Sequence, residues 1–113
     1  MPNQSAVLNS VFHALADPTR RSVLERLGKG PAPVSELAQG FDMALPSFLQ
    51  HLGVLDACGL VLSEKAGRVR TYRLAEPLPF KVAEQWMGSQ RVVWERRLNQ
   101  LDSYLIKLKE KKP

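Results

Sequence analysis

The chain has 113 residues, of which 44% are hydrophobic and 24% charged, and it carries a formal net charge of +5. That length suits one domain with its own core, and the composition argues against wholesale disorder or a fibrous repeat. A single cysteine, Cys58, excludes an intrachain disulfide and a multi-cysteine metal cage, and the most apolar stretch, 54–62, is too short for a membrane span and is interrupted by Asp56.

The first residues, Met1-Pro2-Asn3-Gln4-Ser5, place no positive charge ahead of an apolar run. No secretory signal is therefore expected, and a cytoplasmic location is the simplest expectation. A first helix is expected over about Ser5 to Leu15, with Val7, Leu8, Val11, Phe12 and Leu15 at helical spacing. Asp17-Pro18 then opens a second helix, the aspartate as cap and the proline tolerated in the first turn. Its buried stripe is Val23, Leu24 and Leu27; Gly28 and Gly30 end it, and Pro31 and Pro33 keep it from resuming.

A short third helix is expected from about Val34 to Gly40, with Val34, Leu37, Ala38 and Phe41 inward. Asp42-Met43 makes a tight turn into a fourth helix, which begins near Ala44 or Leu45 and stops at Cys58 before Gly59. Two helices joined by so short a turn are what a helix-turn-helix requires. After Gly59 the period changes. The segments 60–64 and 69–74 read as strands, separated by Lys65-Ala66-Gly67-Arg68, giving a hairpin with a basic tip. Pro77 and Pro79 close it. A last helix is expected from about Phe80 into the charged tail Lys107 to Lys112.

On that last helix Met87, Trp94, Leu98, Leu101, Leu105 and Leu108 form an apolar seam of coiled-coil type, which Trp86 widens at its start. A helix of roughly 30 residues spans about 45 Å, too long for a domain of this size to cover. A second copy of the same helix is the simplest partner for the seam.

The fourth helix carries the functional argument. Phe48, Leu52 and Leu55 fall on one face and should pack inward. The opposite face offers Pro46, Ser47, Gln50, Gly53 and Val54, with Leu49 and His51 on its flanks, and no carboxylate appears before Asp56. Such a face can approach phosphates without repulsion. Gln50 can pair with adenine, Ser47 can serve a base or a phosphate, and His51 can donate to a phosphate or to guanine. Lys65, Arg68, Arg70 and Arg73 in the hairpin would supply phosphate contacts, or minor-groove insertion, that fix the register on duplex DNA.

In this order and at these intervals, the chain resembles the ArsR/SmtB-type winged helix-turn-helix regulators. The resemblance rests on 14–21 (ALADPTRR), 34–38 (VSELA), Gln50-His51-Leu52 with Val54-Leu55, Gly59-Leu60-Val61, Gly67-Arg68 and Tyr72-Arg73-Leu74. It implies a mainly α (α+β) fold as a single domain over 1–113, with a helix-turn-helix over 34–58 and a two-stranded wing over 60–74. Segments 1–16 and 79–110 would be the dimerisation helices. It further implies a dimeric repressor on inverted-repeat operators, with Ser47, Gln50 and His51 at DNA-contacting positions and Lys65, Arg68 and Arg70 in the wing. Leu8, Phe12, Trp86, Trp94, Leu98, Leu101 and Leu105 would line the homodimer interface. The family's usually small polar position is Leu49 here, which could touch a thymine methyl or simply pack.

Many members of that family sense metals, but the thiolate pair of their third helix would fall at Ala38 and Gly40, and the last helix has no His or Cys. No metal and no cofactor are expected, and the sequence names no small-molecule effector. His13 is expected to be structural. Cys58 is expected to be a small buried residue, with an intermolecular disulfide as the alternative. Trp86 and Trp94 are expected to be interface core, with an effector pocket as the alternative. An enzyme is disfavoured because the two histidines stand on separate helices and no phosphate-cradling glycine loop occurs. The other alternative is a helix-turn-helix adaptor that acts through protein contacts, a role with no need of Arg68 and Arg70.

Overall fold

The computed structural model describes residues 4–111. Met1 to Asn3, Lys112 and Pro113 lie outside the described residues, and with them the start of the N-terminal reading and the last lysine of the tail. The element order is α1 (Gln4–Leu15), α2 (Pro18–Leu27), β1 (Ala32–Pro33), α3 (Val34–Gln39), α4 (Leu45–Ala57), β2 (Val61–Ala66), β3 (Val69–Leu74) and α5 (Leu78–Glu110). The chain divides into two compact units, residues 1–83 and 84–113.

In the first unit the local chemistry sets the element ends. The side chain of Asp17 accepts the backbone N–H of Arg20 at 3.0 Å, and Pro18 occupies the first turn of α2, as expected. Gly28 closes that helix, donating its N–H back to Leu24. The buried residues of α2, α3 and α4 (Val23, Leu24, Leu27, Leu37, Phe48, Leu52 and Leu55) form one cluster with Leu60, Val61 and Tyr72 of the wing. Burial of each large side chain stabilises by about 1.5–3 kcal/mol, so the fixed angle of α4 rests on Phe48, Leu52 and Leu55. The Phe41 and Phe48 rings meet at 5.1 Å between centroids and wedge the turn that precedes α4.

The sheet differs from the expectation. Three antiparallel strands run in the order β1-β3-β2, where a two-stranded wing was anticipated. Ala32 pairs with Tyr72 and Pro33 with Thr71. Pro33 has no N–H to donate, so this short strand sits at the sheet edge, where proline is tolerated. The hairpin is also tighter. Strands reach Ala66 and Val69, which pair with each other, so only Gly67 and Arg68 remain in the loop and Lys65 lies within β2. Gly67 has φ +62 while Arg68 does not have positive φ, the signs of a two-residue type II′ turn.

In α1 the buried positions are Val11 and Ala14; Leu8 is half-buried and Phe12 is exposed. Helix α5 begins two residues earlier than expected, at Leu78, because Pro79 sits within the first turn instead of preceding the helix. Its start, through the buried Ala83, belongs to the first unit. The second unit, residues 84–113, is helical through Glu110. Met87, Trp94, Leu98, Leu101, Leu105 and Leu108 of the anticipated seam are between 44% and 70% exposed. Trp86 is exposed as well, and Val93 and Tyr104 widen the stripe along one side. No helix among the described residues is long and apolar enough to cross a membrane.

Candidate nucleic-acid interface

Helix α4 is amphipathic as the sequence anticipates except at Val54, which was expected on the outer face but is half-buried and packs against the core. Phe48, Leu52 and Leu55 are buried, while Pro46, Ser47, Leu49, Gln50 and Gly53 are exposed. The exposed face has no carboxylate before Asp56. A Cβ added at Gly53 would meet nothing within 4 Å. The fold therefore does not require glycine there, although glycine inside a helix costs about 1 kcal/mol relative to alanine. A face kept bare at that cost can bring the helix backbone against another surface.

Next to α4 stands the wing, β2 packing on the helix while β3 lies beyond it. Alternation along the strands puts Val61, Ser63, Lys65, Arg70, Tyr72 and Leu74 on one face, and Leu62, Glu64, Thr71 and Arg73 on the other. The guanidinium of Arg70 donates to Ser63 Oγ at 2.8 Å. Arg73 reaches Glu64 at 3.5 Å, which offsets its charge. Among the described residues Lys65 and Arg68 form no ion pair, so these two keep undivided positive charge at the end of the wing.

His51 has a different setting from Ser47 and Gln50. It is half-buried, and its Nδ1 lies 3.0 Å from Arg20 Nη1 and 3.7 Å from Asp17 Oδ2. Arg20 itself is 8% exposed, the one buried charged side chain among the described residues. Its guanidinium donates from Nε to the Ala14 carbonyl at 2.9 Å and from Nη2 to the His13 carbonyl at 2.8 Å. These bonds engage carbonyls in the last turn of α1, where intrahelical partners run out; the His13 carbonyl also accepts the Ala16 N–H at 3.3 Å. The backbone N–H of Arg20 holds the Asp17 carboxyl below the usual carboxylate range. The sequence reading missed Arg20. A signal was present, because Arg20, Val23, Leu24 and Leu27 follow the i, i+3, i+4, i+7 spacing of one buried stripe.

Two further features complete the first unit. A groove of about 550 Å³ is lined by Val7, Ser10, Ala57, Cys58, Leu78 and Val82. Cys58 is half-buried and its thiol donates to the Leu55 carbonyl at 3.3 Å; burial pushes the thiol pKa up. Among the described residues no group of three or more His, Cys, Asp or Glu could hold a metal ion. In the second unit a shallow apolar groove runs along Trp86, Met87, Gln90, Arg91, Trp94 and Leu98.

A family described as "Helix-turn-helix domain" matches residues 15–64, from the end of α1 into β2. The HTH-type transcriptional regulator Rv2034 of Mycobacterium tuberculosis is 46% identical over 63 residues, a match covering 56% of this chain and 59% of that protein. The chain thus spans less than two thirds of that relative. The transcriptional repressor SdpR of Bacillus subtilis is 33% identical over 59% of this chain and 74% of its own length. Among solved structures, the ArsR family transcriptional regulator RHA00566 superposes with a TM-score of 0.77 at 52% identity, covering 84% of this chain and 97% of its own. The chain therefore belongs to the ArsR/SmtB family of winged helix-turn-helix, DNA-binding transcriptional regulators.

Proposed function

We propose that the chain acts as a homodimeric repressor that reads an inverted-repeat operator through α4 and does not respond to metal ions. The observation that carries this reading is the outer face of α4. Ser47, Gln50 and Gly53 stand exposed on one side of a helix whose other side is locked by Phe48, Leu52 and Leu55. Inserted in a major groove, Gln50 offers the donor and acceptor pair that matches adenine, and Ser47 offers a hydroxyl to a base or phosphate. Gly53 lets the helix backbone approach closely. His51 contributes through Nε2, since Nδ1 is turned toward Arg20. Lys65, Arg68 and Arg70 contact phosphates beside the groove and fix register.

A helix-turn-helix reads one half-site, and a dimer reads two. The exposed seam of Met87, Trp94, Leu98, Leu101 and Leu105 in the second unit supports self-association, because an apolar stripe of this length would be costly in water. The second copy is also the natural cover for Leu8 and Phe12 of α1. Repression follows the character of the named relative SdpR. Metal independence is supported by the donor set, since Ala38 and Gly40 carry no ligand atoms and α5 has neither His nor Cys.

The test is fluorescence anisotropy against duplex fragments from the region upstream of the coding sequence, across a salt series with random DNA as competitor. Tight, salt-dependent binding that survives the competitor is expected, unchanged by added divalent metal or by chelator. Binding no better than to random DNA at every salt would favour an adaptor that acts through protein contacts.

A further inference from the structure

We infer that Arg20 is a positioning residue for DNA recognition: it ties the end of α1 to the recognition helix through His51 Nδ1, and so holds His51 as its Nε2–H tautomer. The inference rests on the reading of α4 as the DNA-contacting helix, and deepens it.

The chemistry is specific. A guanidinium has donors only, so at 3.0 Å from Arg20 Nη1 the His51 Nδ1 must be the acceptor. Asp17 Oδ2, at 3.7 Å, is too far to take a hydrogen bond from that nitrogen. Arg20 of α2 and its cap residue Asp17 are the charged groups beside the ring. A neutral imidazole that accepts at Nδ1 carries its proton on Nε2. His51 is thereby presented to DNA as a hydrogen-bond donor, the form that phosphate oxygens and the guanine acceptors require.

The same guanidinium holds two carbonyls of α1 at 2.8 and 2.9 Å, so three of its donors bridge two helices from a third. Its burial makes each bond count, since a buried donor or acceptor left without its partner costs far more than the bond contributes when made. Arg20 sits on the buried stripe of α2, so its own position is set by Val23, Leu24 and Leu27. With the angle of α4 set by Phe48, Leu52 and Leu55, the protonation pattern of the half-buried His51 is then fixed by a single side chain that does not need to touch DNA.

The experiment has two arms. The first needs no DNA: long-range ¹H–¹⁵N spectra of the full chain at pH 8 report which His51 nitrogen carries the proton. The Nε2–H form is expected, giving way to a mixture in Arg20→Lys, whose ammonium lacks the fork. A wild-type His51 protonated on Nδ1, or a tautomer unchanged in Arg20→Lys, would overturn the inference. The second arm compares His51→Asn, whose amide oxygen sits near the place of Nδ1, with His51→Gln, whose amide reaches the place of Nε2. His51→Gln loses the Arg20 acceptor and is expected to bind its duplex about tenfold more weakly, a larger loss than His51→Asn shows. The reverse order, or equal losses, would contradict it. Circular dichroism melts show that each variant is folded at the assay temperature. If Arg20→Lys does not fold, the two histidine variants and the wild-type spectrum decide the matter. Wild-type protein that binds no duplex at all would sink the reading of α4 alone, and the spectra would still judge the tautomer.

Discussion

Lys65 and Arg70 stand directly opposite each other on neighbouring strands of the wing, on the same face of the sheet. Like charges in that position destabilise a hairpin, and the wing relieves the clash only in part, by turning Arg70 toward Ser63. A polyanion lying along the wing would turn this cost into affinity. Lys65→Gln is therefore expected to raise stability at low salt by about 0.3 kcal/mol, with the gain fading as salt screens the pair. It should weaken DNA binding at the same time. Thermal melts and anisotropy on the same sample check both signs.

Gln50 and Arg68 are expected to fail in different ways. Gln50→Ala should cost about 1–3 kcal/mol at the specific site and relax the base preference there, leaving non-specific binding intact. Arg68→Ala should weaken binding to all sequences and lower the slope of log affinity against log salt by about one per protomer. Anisotropy titrations of both variants against specific and random duplexes separate the two patterns. An Arg68→Ala protein with unchanged affinity and slope would remove the wing from the interface.

Leu101 lies midway along the exposed seam of α5. Leu101→Asp puts a charge into that seam and is expected to convert dimer to monomer, with α1 to β3 still folded. Sedimentation velocity gives the mass directly, and a dimer that persists would place the interface elsewhere.

Cys58 is held as a neutral thiol, because burial raises its pKa above the ordinary thiol value of 9.0. The sign of the pH dependence follows. The folded state binds the proton more tightly than the unfolded state, so the contribution is complete below the unfolded thiol's pKa and is lost as pH rises through the folded one. Wild type is expected to lose stability relative to Cys58→Ser, which keeps a donor for the Leu55 carbonyl, as pH rises through and above the ordinary thiol range. Denaturant melts at matched pH measure the difference. Alkylation of the native thiol at pH 8 should be slower than that of the unfolded chain.

What the sequence made legible was what depends on local spacing. The cap at Asp17, the inward stripe of α4 and the seam of α5 are each written in residues three or four apart, and the structure places them accordingly. The third strand was hidden because Ala32 and Pro33 are too few to show a period, and their pairing with β3 is decided by packing. Hairpin length was misjudged because Lys65 and Ala66 look like loop residues but stay in register up to a two-residue turn. The start of α5 was misplaced by reading Pro79 as a barrier when it sits within the first turn. Arg20 was missed for a chemical reason: an arginine is expected at the surface, and only the carbonyls of His13 and Ala14 and the ring of His51, brought together by the fold, make its burial favourable.

Whether two copies of α4 read a symmetric operator is decided by hydroxyl-radical footprinting on a duplex selected by the protein from a random pool. Two protected patches related by a dyad are expected, centred about 10–10.5 base pairs or a multiple of that apart, with the bases between them less protected. A single patch, or uniform protection without a dyad, would contradict it.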